Sequence, residues 1–224
     1  MTSASLKTNT LDLLAKDAVR NELIGELDRL KGLAGSISEQ QVAIVLGQWF
    51  HPLHYFPVFL SRLVSVSPDI EMQIHICRIL WQELGEGDAA NAHEKIYVDT
   101  MLNAGFNLSD VANAQPFQNT EKLVEGYRQS SANYLPGLGF LYGTEVADLA
   151  MVSTIGKLVR QCTARKSLPW VDIHVQQEPG HVESSNKTLM PSFTEADQVR
   201  IIQSAEEMWK LWANFFRSIR QAVS

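Results

Sequence analysis

A chain of 224 residues can bury one sizeable core, and its hydrophobic content of 45% and charged content of 20% are typical of a globular protein. The net charge of −6 and the lack of a lysine- or arginine-rich cluster argue against nucleic acid as a partner. No apolar run reaches the roughly 18 to 20 residues that span a bilayer, and two cysteines cannot build a disulfide framework. We therefore expect a cytoplasmic protein that binds neither nucleic acid nor membrane.

Nearly every long segment carries apolar residues at helical period, and no stretch shows convincing strand alternation. Pro52 and Pro57 are expected to kink or break the second helix. The pattern predicts an all-α bundle of about seven helices in a single domain, residues 1–224. In chain order, the predicted helices cover residues 12–33, 38–66, 69–84, 89–104, a short helix from 109 or 119 to 134, 138–164, one that begins at Pro169, and 193–223.

The third predicted helix is apolar along one side. That side carries Ile70, Ile74, Cys77, Leu80 and Trp81. Because Cys77 lies in this apolar helical context, as Cys162 does in another, we expect the two cysteines to be inert core residues.

The stretch Trp170 to Ser184 contains His174, Glu178 and His181, spaced four and then three residues apart. On a helix this spacing places three side chains on one face. Two imidazoles and one carboxylate suit a first-row metal such as iron, manganese or zinc. The alternative is a solvated polar face that happens to carry two histidines, so the interpretation depends on ligands from other helices.

Further ligands are available in WQELGEGDAANAHEKIY, which contains Glu83, Glu86 and His93. Ideal helix geometry pairs Glu86 with His93, seven residues apart, but Gly85 and Gly87 make an ideal helix unfavourable here. The alternative is a surface turn that His93 lines or caps.

Glu145 lies in a long segment otherwise rich in glycine, alanine and apolar residues. Burying its charge is costly unless the carboxylate is paired or binds a metal. The alternative is an exposed face that Glu145 shares with Thr144 and Asp148.

In order along the chain, QELGEGDAANAH, Glu145 and His174-x3-Glu178-x2-His181 resemble the haem-oxygenase-like diiron oxidases and oxygenases. In that family a histidine follows the ligand glutamate by ten residues, which favours Glu83 over Glu86. Three points limit the carry-over. Gln82 replaces the usual acidic neighbour, and Pro179–Gly180 predicts a local break in the helix before His181. Family members also differ in a possible extra carboxylate ligand, and no residue of this sequence is assigned to it.

The resemblance implies a haem-oxygenase-like fold and two Fe(II) ions that activate O2 as co-substrate. It assigns six metal ligands, which are Glu83, His93, Glu145, His174, Glu178 and His181. It also implies an external electron donor and, by analogy with the fold, a homodimer.

Members of this family oxidise small molecules of specialised metabolism. They N-oxygenate amines, cleave fatty or amino acids oxidatively and decarboxylate them, or form nitriles. In size the chain is similar to the family enzyme that converts a brominated tryptophan into a nitrile. The resemblance therefore implies an amino-acid substrate, with halogenated tryptophan the sharpest candidate. The tyrosines and phenylalanines at 55, 56, 59, 127, 134, 140 and 142 are candidates for an aromatic pocket, and Arg62, Arg128 and Arg160 for holding a substrate carboxylate.

Two readings from other classes stay open on sequence alone. A thiaminase-like hydrolase shares the fold and would need a nucleophilic cysteine beside a carboxylate. A helical interaction module would leave the polar residues solvated. Iron bound after anaerobic loading with Fe(II) separates the oxidase from both.

Overall fold

The computed structural model describes residues 9–163 and 165–224, so the first eight residues of the predicted domain and Ala164 lie outside the described residues. Within them the secondary structure is entirely helical. The described residues form ten α-helices rather than about seven, with a 3-10 turn at Ala89–Asn91 between α4 and α5. The α-helices are α1 (Thr10–Leu14), α2 (Arg20–Gly32), α3 (Glu39–Val66), α4 (Ile70–Glu83), α5 (His93–Ala104), α6 (Leu108–Ala112), α7 (Gln118–Ser130), α8 (Tyr134–Thr163), α9 (Pro169–Thr188) and α10 (Glu195–Val223).

The extra helices come from breaks that apolar periodicity does not reveal. The first predicted helix is two helices, α1 and α2, because the Asp17 carboxylate accepts a hydrogen bond from the backbone N–H of Val19 at 2.8 Å and holds a turn there. The predicted short helix near residue 119 is likewise α6 followed by α7. Three boundaries differ by four residues: α5 begins at His93 instead of residue 89, α7 ends at Ser130 instead of 134, and α8 begins at Tyr134 instead of 138.

The prolines expected to kink or break helices do not break them. Both Pro52 and Pro57 lie inside the 28-residue α3, and Pro179 lies inside the 20-residue α9. In α9 the backbone carbonyl that loses its donor belongs to Val175, whose side chain is exposed. Water can therefore satisfy that carbonyl, and the helix continues.

The longest helix, α8, lies at the centre and packs against α2, α3, α7, α9 and α10. Close packing with α10 depends on small residues, since a Cβ at Gly139 would lie 2.3 Å from the backbone oxygen of Ile201. The indole N–H of Trp209 donates to the carbonyl of Gly143 at 3.0 Å across the same contact. This packing fixes the central helix that carries Glu145. Among the described residues, no helix is both long and apolar enough to cross a bilayer.

A buried carboxylate joins α2 to the end of α10. Glu26 is 3% exposed and accepts hydrogen bonds from Arg217 at 3.0 Å and Arg220 at 3.1 Å, with Arg29 at 3.3 Å. Burial alone would raise the pKa of Glu26, but the hydrogen bonds from Arg220 and Arg217 outweigh burial and lower that pKa below its ordinary value. The ion pair therefore stabilises the fold above the ordinary carboxyl pKa and loses that contribution as the pH falls through the lowered one.

We expect Glu26→Gln to lower the free energy of unfolding at pH 7 by about 1 to 2 kcal/mol, since two charge-assisted hydrogen bonds are weakened but the arginines can still reach water. Urea unfolding followed by circular dichroism measures the difference. Glu22→Gln is the matched control, because Glu22 binds Arg217 at the surface. Equal stability of wild type and Glu26→Gln at pH 7, or an undiminished difference at pH 3, would contradict this account.

Candidate metal centre

Four helices bring seven ionisable side chains to one place in the interior. Six of them are the residues predicted from sequence, and all six are at most 5% exposed. Asp148 is the seventh, with its side chain 15% exposed. They are Glu83 at the end of α4, His93 at the start of α5, Glu145 and Asp148 on α8, and His174, Glu178 and His181 on α9.

The end of α4 explains which glutamate faces inward. Gly85 has a φ of 82°, and the N–H groups of Gly85 and Glu86 bond to the carbonyls of Gln82 and Trp81, which is a Schellman motif. Glu83 is thus the last helical residue and points into the bundle, whereas Glu86 is exposed on the loop. Of the two glutamates, only Glu83 lies with the cluster.

On α9 the predicted helix break is absent, so His174, Glu178 and His181 share one buried face. The carboxylate of Glu178 lies 3.8 Å from Nδ1 of His181. Pro169 stands at the first turn of the helix, where its missing N–H costs nothing. The doubt that Pro179 raised about the position of His181 is thereby removed.

Asp148 is the member of the cluster that sequence analysis missed. It was considered only in the alternative in which Glu145 lies on an exposed face together with Thr144 and Asp148. The usable signal was spacing. Residues three apart on a helix are neighbours, so a buried Glu145 brings Asp148 to the same region. Oδ2 of Asp148 lies 3.9 Å from Nε2 of His174.

The donor atoms converge around His181. Its Nδ1 lies 3.5 Å from Oε2 of Glu145 and 3.8 Å from Oε1 of Glu83. Oε2 of Glu83 lies 3.1 Å from Nδ1 of His93. The ring centroids of His93 and His174 are 4.7 Å apart, so these two histidines and the carboxylates beside them lie in one continuous cluster.

Hydrogen bonds orient two of the histidine rings. Nδ1 of His174 donates to the backbone carbonyl of Trp170 at 2.7 Å, which leaves the Nε2 lone pair free. Nε2 of His93 lies 2.8 Å from Oε1 of Gln177 and donates to it, and this turns Nδ1 towards Oε2 of Glu83. Hydrogen bonds of this kind orient metal-binding imidazoles.

Several buried polar atoms of the cluster have no hydrogen-bond partner among the described residues. Unpaired buried donors and acceptors cost free energy, so they call for an explanation such as an ion. They are Nε2 of His181, Oε1 of Glu145, Oε1 of Glu178, Oδ2 of Asp148 and Nδ1 of His93, whose 3.1 Å contact with Oε2 of Glu83 does not have the geometry of a hydrogen bond.

The surroundings shift the pKa values of His174 and His181 in opposite directions. Burial and the charge of His93 lower the pKa of His174 to about 4, so its imidazole is neutral at pH 7. Burial would also lower the pKa of His181, but the hydrogen bond and charge of Glu145, with the charge of Glu83, raise it to about 9. Without a metal, a proton on His181 therefore supplies positive charge at the centre.

Two of the four carboxyl groups, those of Glu178 and Asp148, resist ionisation. Burial, followed by the charges of Asp148 and Glu145, raises the pKa of Glu178 well above its ordinary value. Burial and the charges of Glu145 and Glu83 raise the pKa of Asp148 to about 7. Four carboxylates in one interior site need bound protons or cations to offset their repulsion.

The donor set fits iron. Carboxylate oxygens and neutral imidazole nitrogens are ligands that iron accepts, and Glu145, Glu178 and His181 each offer one donor atom within 4.8 Å of the others. With all four carboxylates ionised and three neutral imidazoles, the site carries a charge of −4, which two divalent ions balance. The free nitrogen and oxygen atoms described above are the atoms such ions would use.

A small cavity of about 30 Å³ opens onto the cluster and has room for little more than one or two water-sized ligands. Its apolar wall is Trp49, Pro52, Leu53, Phe56 and Trp212. Of the predicted aromatic residues, only Phe56 lines this cavity. None of the three candidate arginines lines it.

Neither cysteine lies at the cavity. Cys162 is partly buried, and Cys77 is exposed, so the expectation that Cys77 belongs to the core is wrong. The buried side of α4 is instead the opposite one, formed by Met72, Ile76 and Ile79.

A buried carboxylate–histidine cluster in a helical bundle is the kind of site that binds metal, which places the protein in the class of helical metalloproteins. The family comparison agrees with this class. Residues 43–213 match the model of a family described as iron-containing redox enzymes. Because the match spans most of the chain, the protein belongs to that family. No curated protein matches the chain significantly.

Solved structures show that the fold is haem-oxygenase-like. A CADD-like protein of unknown function from Nostoc punctiforme superposes with a TM-score of 0.75 at 16% identity, covering 96% of this chain and 95% of that one. A domain of unknown function with a haem-oxygenase-like fold from Shewanella denitrificans superposes with a TM-score of 0.69 at 16% identity, covering 95% of this chain and 88% of that one. A TenA homologue from Pseudomonas syringae superposes with a TM-score of 0.61 at 14% identity, covering 91% of this chain and 93% of that one. At these identities the likeness concerns the fold alone.

Proposed function

We propose that the protein is a non-haem diiron enzyme that uses O2 to oxidise an amino-acid-type small molecule. The observation that carries this proposal is the set of buried nitrogen and oxygen atoms on α5, α8 and α9 that lack hydrogen-bond partners among the described residues. A structural polar network would pair these atoms with one another. A site prepared for two divalent ions leaves them free.

Each side chain has a definite task in this proposal. His93 and Glu83 would hold largely one iron, and His174 and Glu178 the other, with Glu145 and His181 completing the set. Asp148 is a seventh candidate ligand. When bound, two Fe(II) ions would supply electrons to O2 beside the substrate, with an external donor restoring the ferrous state.

The protein residues prepare the site for that chemistry. His174 is neutral and presents Nε2, because its Nδ1 proton is held by the carbonyl of Trp170. The proton on His181 must leave when a metal binds there, so binding releases protons. The apolar wall of Trp49, Phe56 and Trp212 limits the entry of water, which protects a reactive centre from side reactions.

The experiment that tests the function is stopped-flow spectroscopy of the diferrous protein mixed with O2. Separate reactions contain individual amino acids, tryptophans with and without bromine, or fatty acids. We expect an amino acid to accelerate the reaction with O2, and product analysis then distinguishes nitrile formation from N-oxygenation and C–C cleavage. Acceleration by fatty acids alone would contradict the amino-acid assignment.

Gln177 is predicted to position His93 rather than to bind iron. We expect Gln177→Leu to weaken Fe(II) binding by about 10- to 100-fold, because the Nε2 proton of His93 loses its acceptor and the ring is no longer fixed. Gln177→Glu keeps an acceptor and should retain most of the affinity. Competition with a chelator measures the dissociation constants, and ¹⁵N shifts of the histidine ring report the tautomer. Unchanged affinity and tautomer in Gln177→Leu would contradict this role.

A further inference from the structure

The exposed side of α4 is unusually apolar. Ile70 is 63% exposed, Ile74 is 42% exposed and Trp81 is 56% exposed, and Cys77 between them is exposed too. The helix buries its opposite side against the bundle, through Met72, Ile76 and Ile79. A surface helix normally has one apolar face, so the second one needs a partner.

The four residues Ile70, Ile74, Cys77 and Trp81, here called the α4 seam, are spaced four, three and four residues apart. This is the spacing of the contact positions in a two-helix coiled coil, and it keeps all four side chains on one line along the helix. A partner that matches the α4 seam is therefore another helix with the same spacing, lying along α4.

Charged residues beside the α4 seam indicate the identity of the partner helix. Glu71 and Arg78 lie seven residues apart on the same flank of α4, one towards each end. Both side chains are exposed, and neither forms an ion pair within residues 9–163 and 165–224. At about 10 Å separation along the helix they cannot pair with each other.

We propose that the α4 seam is the contact between two copies of this chain, with the two α4 helices antiparallel about a two-fold axis. In that arrangement Ile74 of each copy packs near Cys77 of the other, and Ile70 packs near Trp81. The flank then places Glu71 of one copy opposite Arg78 of the other, twice over. A two-fold contact is self-complementary, as these residues require.

The surface beside Trp81 adds to this fit. A hollow of about 280 Å³ lies between α4 and α9 and is lined by Arg78, Trp81, Gly180, Glu183 and Ser184. The antiparallel pairing brings Ile70 of the second copy, the most exposed residue of the α4 seam, towards Trp81 at its edge. The contact thereby extends beyond one helix towards the roughly 800 Å² per partner of a standard interface.

Sedimentation velocity over a range of concentrations tests the proposal. Wild-type protein should sediment as a dimer of the 25.1 kDa chain, whereas Ile74→Glu should weaken dimerisation by on the order of a hundredfold. Val199→Glu is the matched control, because Val199 is 51% exposed on α10 and lies outside the α4 seam. Circular dichroism checks that each variant is folded. A wild-type monomer, or a dimer indifferent to Ile74→Glu, overturns the proposal.

Charge exchange tests the antiparallel orientation. Glu71→Arg and Arg78→Glu each place like charges opposite one another and should weaken the dimer by about tenfold, and the double variant should restore it. A double variant as weak as the single ones overturns the antiparallel pairing. Cross-linking with a short bismaleimide should give a dimer that Cys77→Ser abolishes and Cys162→Ser does not; cross-linking that survives Cys77→Ser also overturns it.

Discussion

Replacing Glu145 by glutamine is expected to abolish iron-dependent consumption of O2. Glu145 is 2% exposed, its Oε2 lies 3.5 Å from Nδ1 of His181, and its Oε1 has no hydrogen-bond partner within the described residues. An amide of the same shape cannot supply the negative charge that binds a divalent ion. We expect Fe(II) affinity to fall by more than about 100-fold, as measured by chelator competition and iron analysis.

The metal-free variant has to be compared with the metal-free wild type by urea unfolding. The substitution removes one of four carboxylates that repel each other, but it also removes the carboxylate that pairs with the protonated His181. Glu86→Gln is the control, because Glu86 lies exposed on the loop after α4. Native iron content and activity in Glu145→Gln would refute the assignment of Glu145 as a ligand.

Gly139→Ala is expected to have the largest effect on stability. The added Cβ would lie 2.3 Å from the backbone oxygen of Ile201 and 2.9 Å from the backbone nitrogen of Ala205. Backbone atoms cannot turn aside as a flexible side chain does, so α8 and α10 must separate. Such overpacking costs about 1 to 3 kcal/mol, and we expect the upper part of that range.

A second glycine provides the comparison for thermal and urea unfolding. Gly180 lies inside α9, and a Cβ there would have nothing within 4 Å. Gly180→Ala should therefore stabilise the fold by up to about 1 kcal/mol through helix propensity. If Gly139→Ala were as stable as wild type, the close contact between α8 and α10 described here would be wrong.

Much of the fold could be predicted from sequence because apolar periodicity is long and regular in this chain. The boundaries of α3, α4 and α10 differ from prediction by at most two residues. The failures have local causes. The Asp17 side chain makes a turn that divides the first predicted helix, and Pro179 is tolerated because the carbonyl of Val175 lies on the exposed side of α9.

The structure brings the predicted site residues together. For His174, Glu178 and His181 the spacing along the sequence was enough to predict this, because residues three and four apart share one face of a helix. The choice between Glu83 and Glu86 could not be made from helix geometry, since it depends on the turn that Gly85 makes after α4. Asp148 was missed because an acidic residue three positions from Glu145 is equally compatible with solvent. The burial of α4 was also misjudged, since both of its sides are apolar and periodicity cannot tell which of the two faces the core.

Iron analysis of the protein after anaerobic loading with Fe(II) and removal of unbound metal tests the central claim most directly. Mössbauer spectroscopy of the same sample reports whether the ions share one site. The account predicts about two Fe(II) per chain, coupled to each other, with the count falling in Glu145→Gln and retained in Glu86→Gln. No retained iron, or a single ion that Glu145→Gln leaves in place, would contradict it.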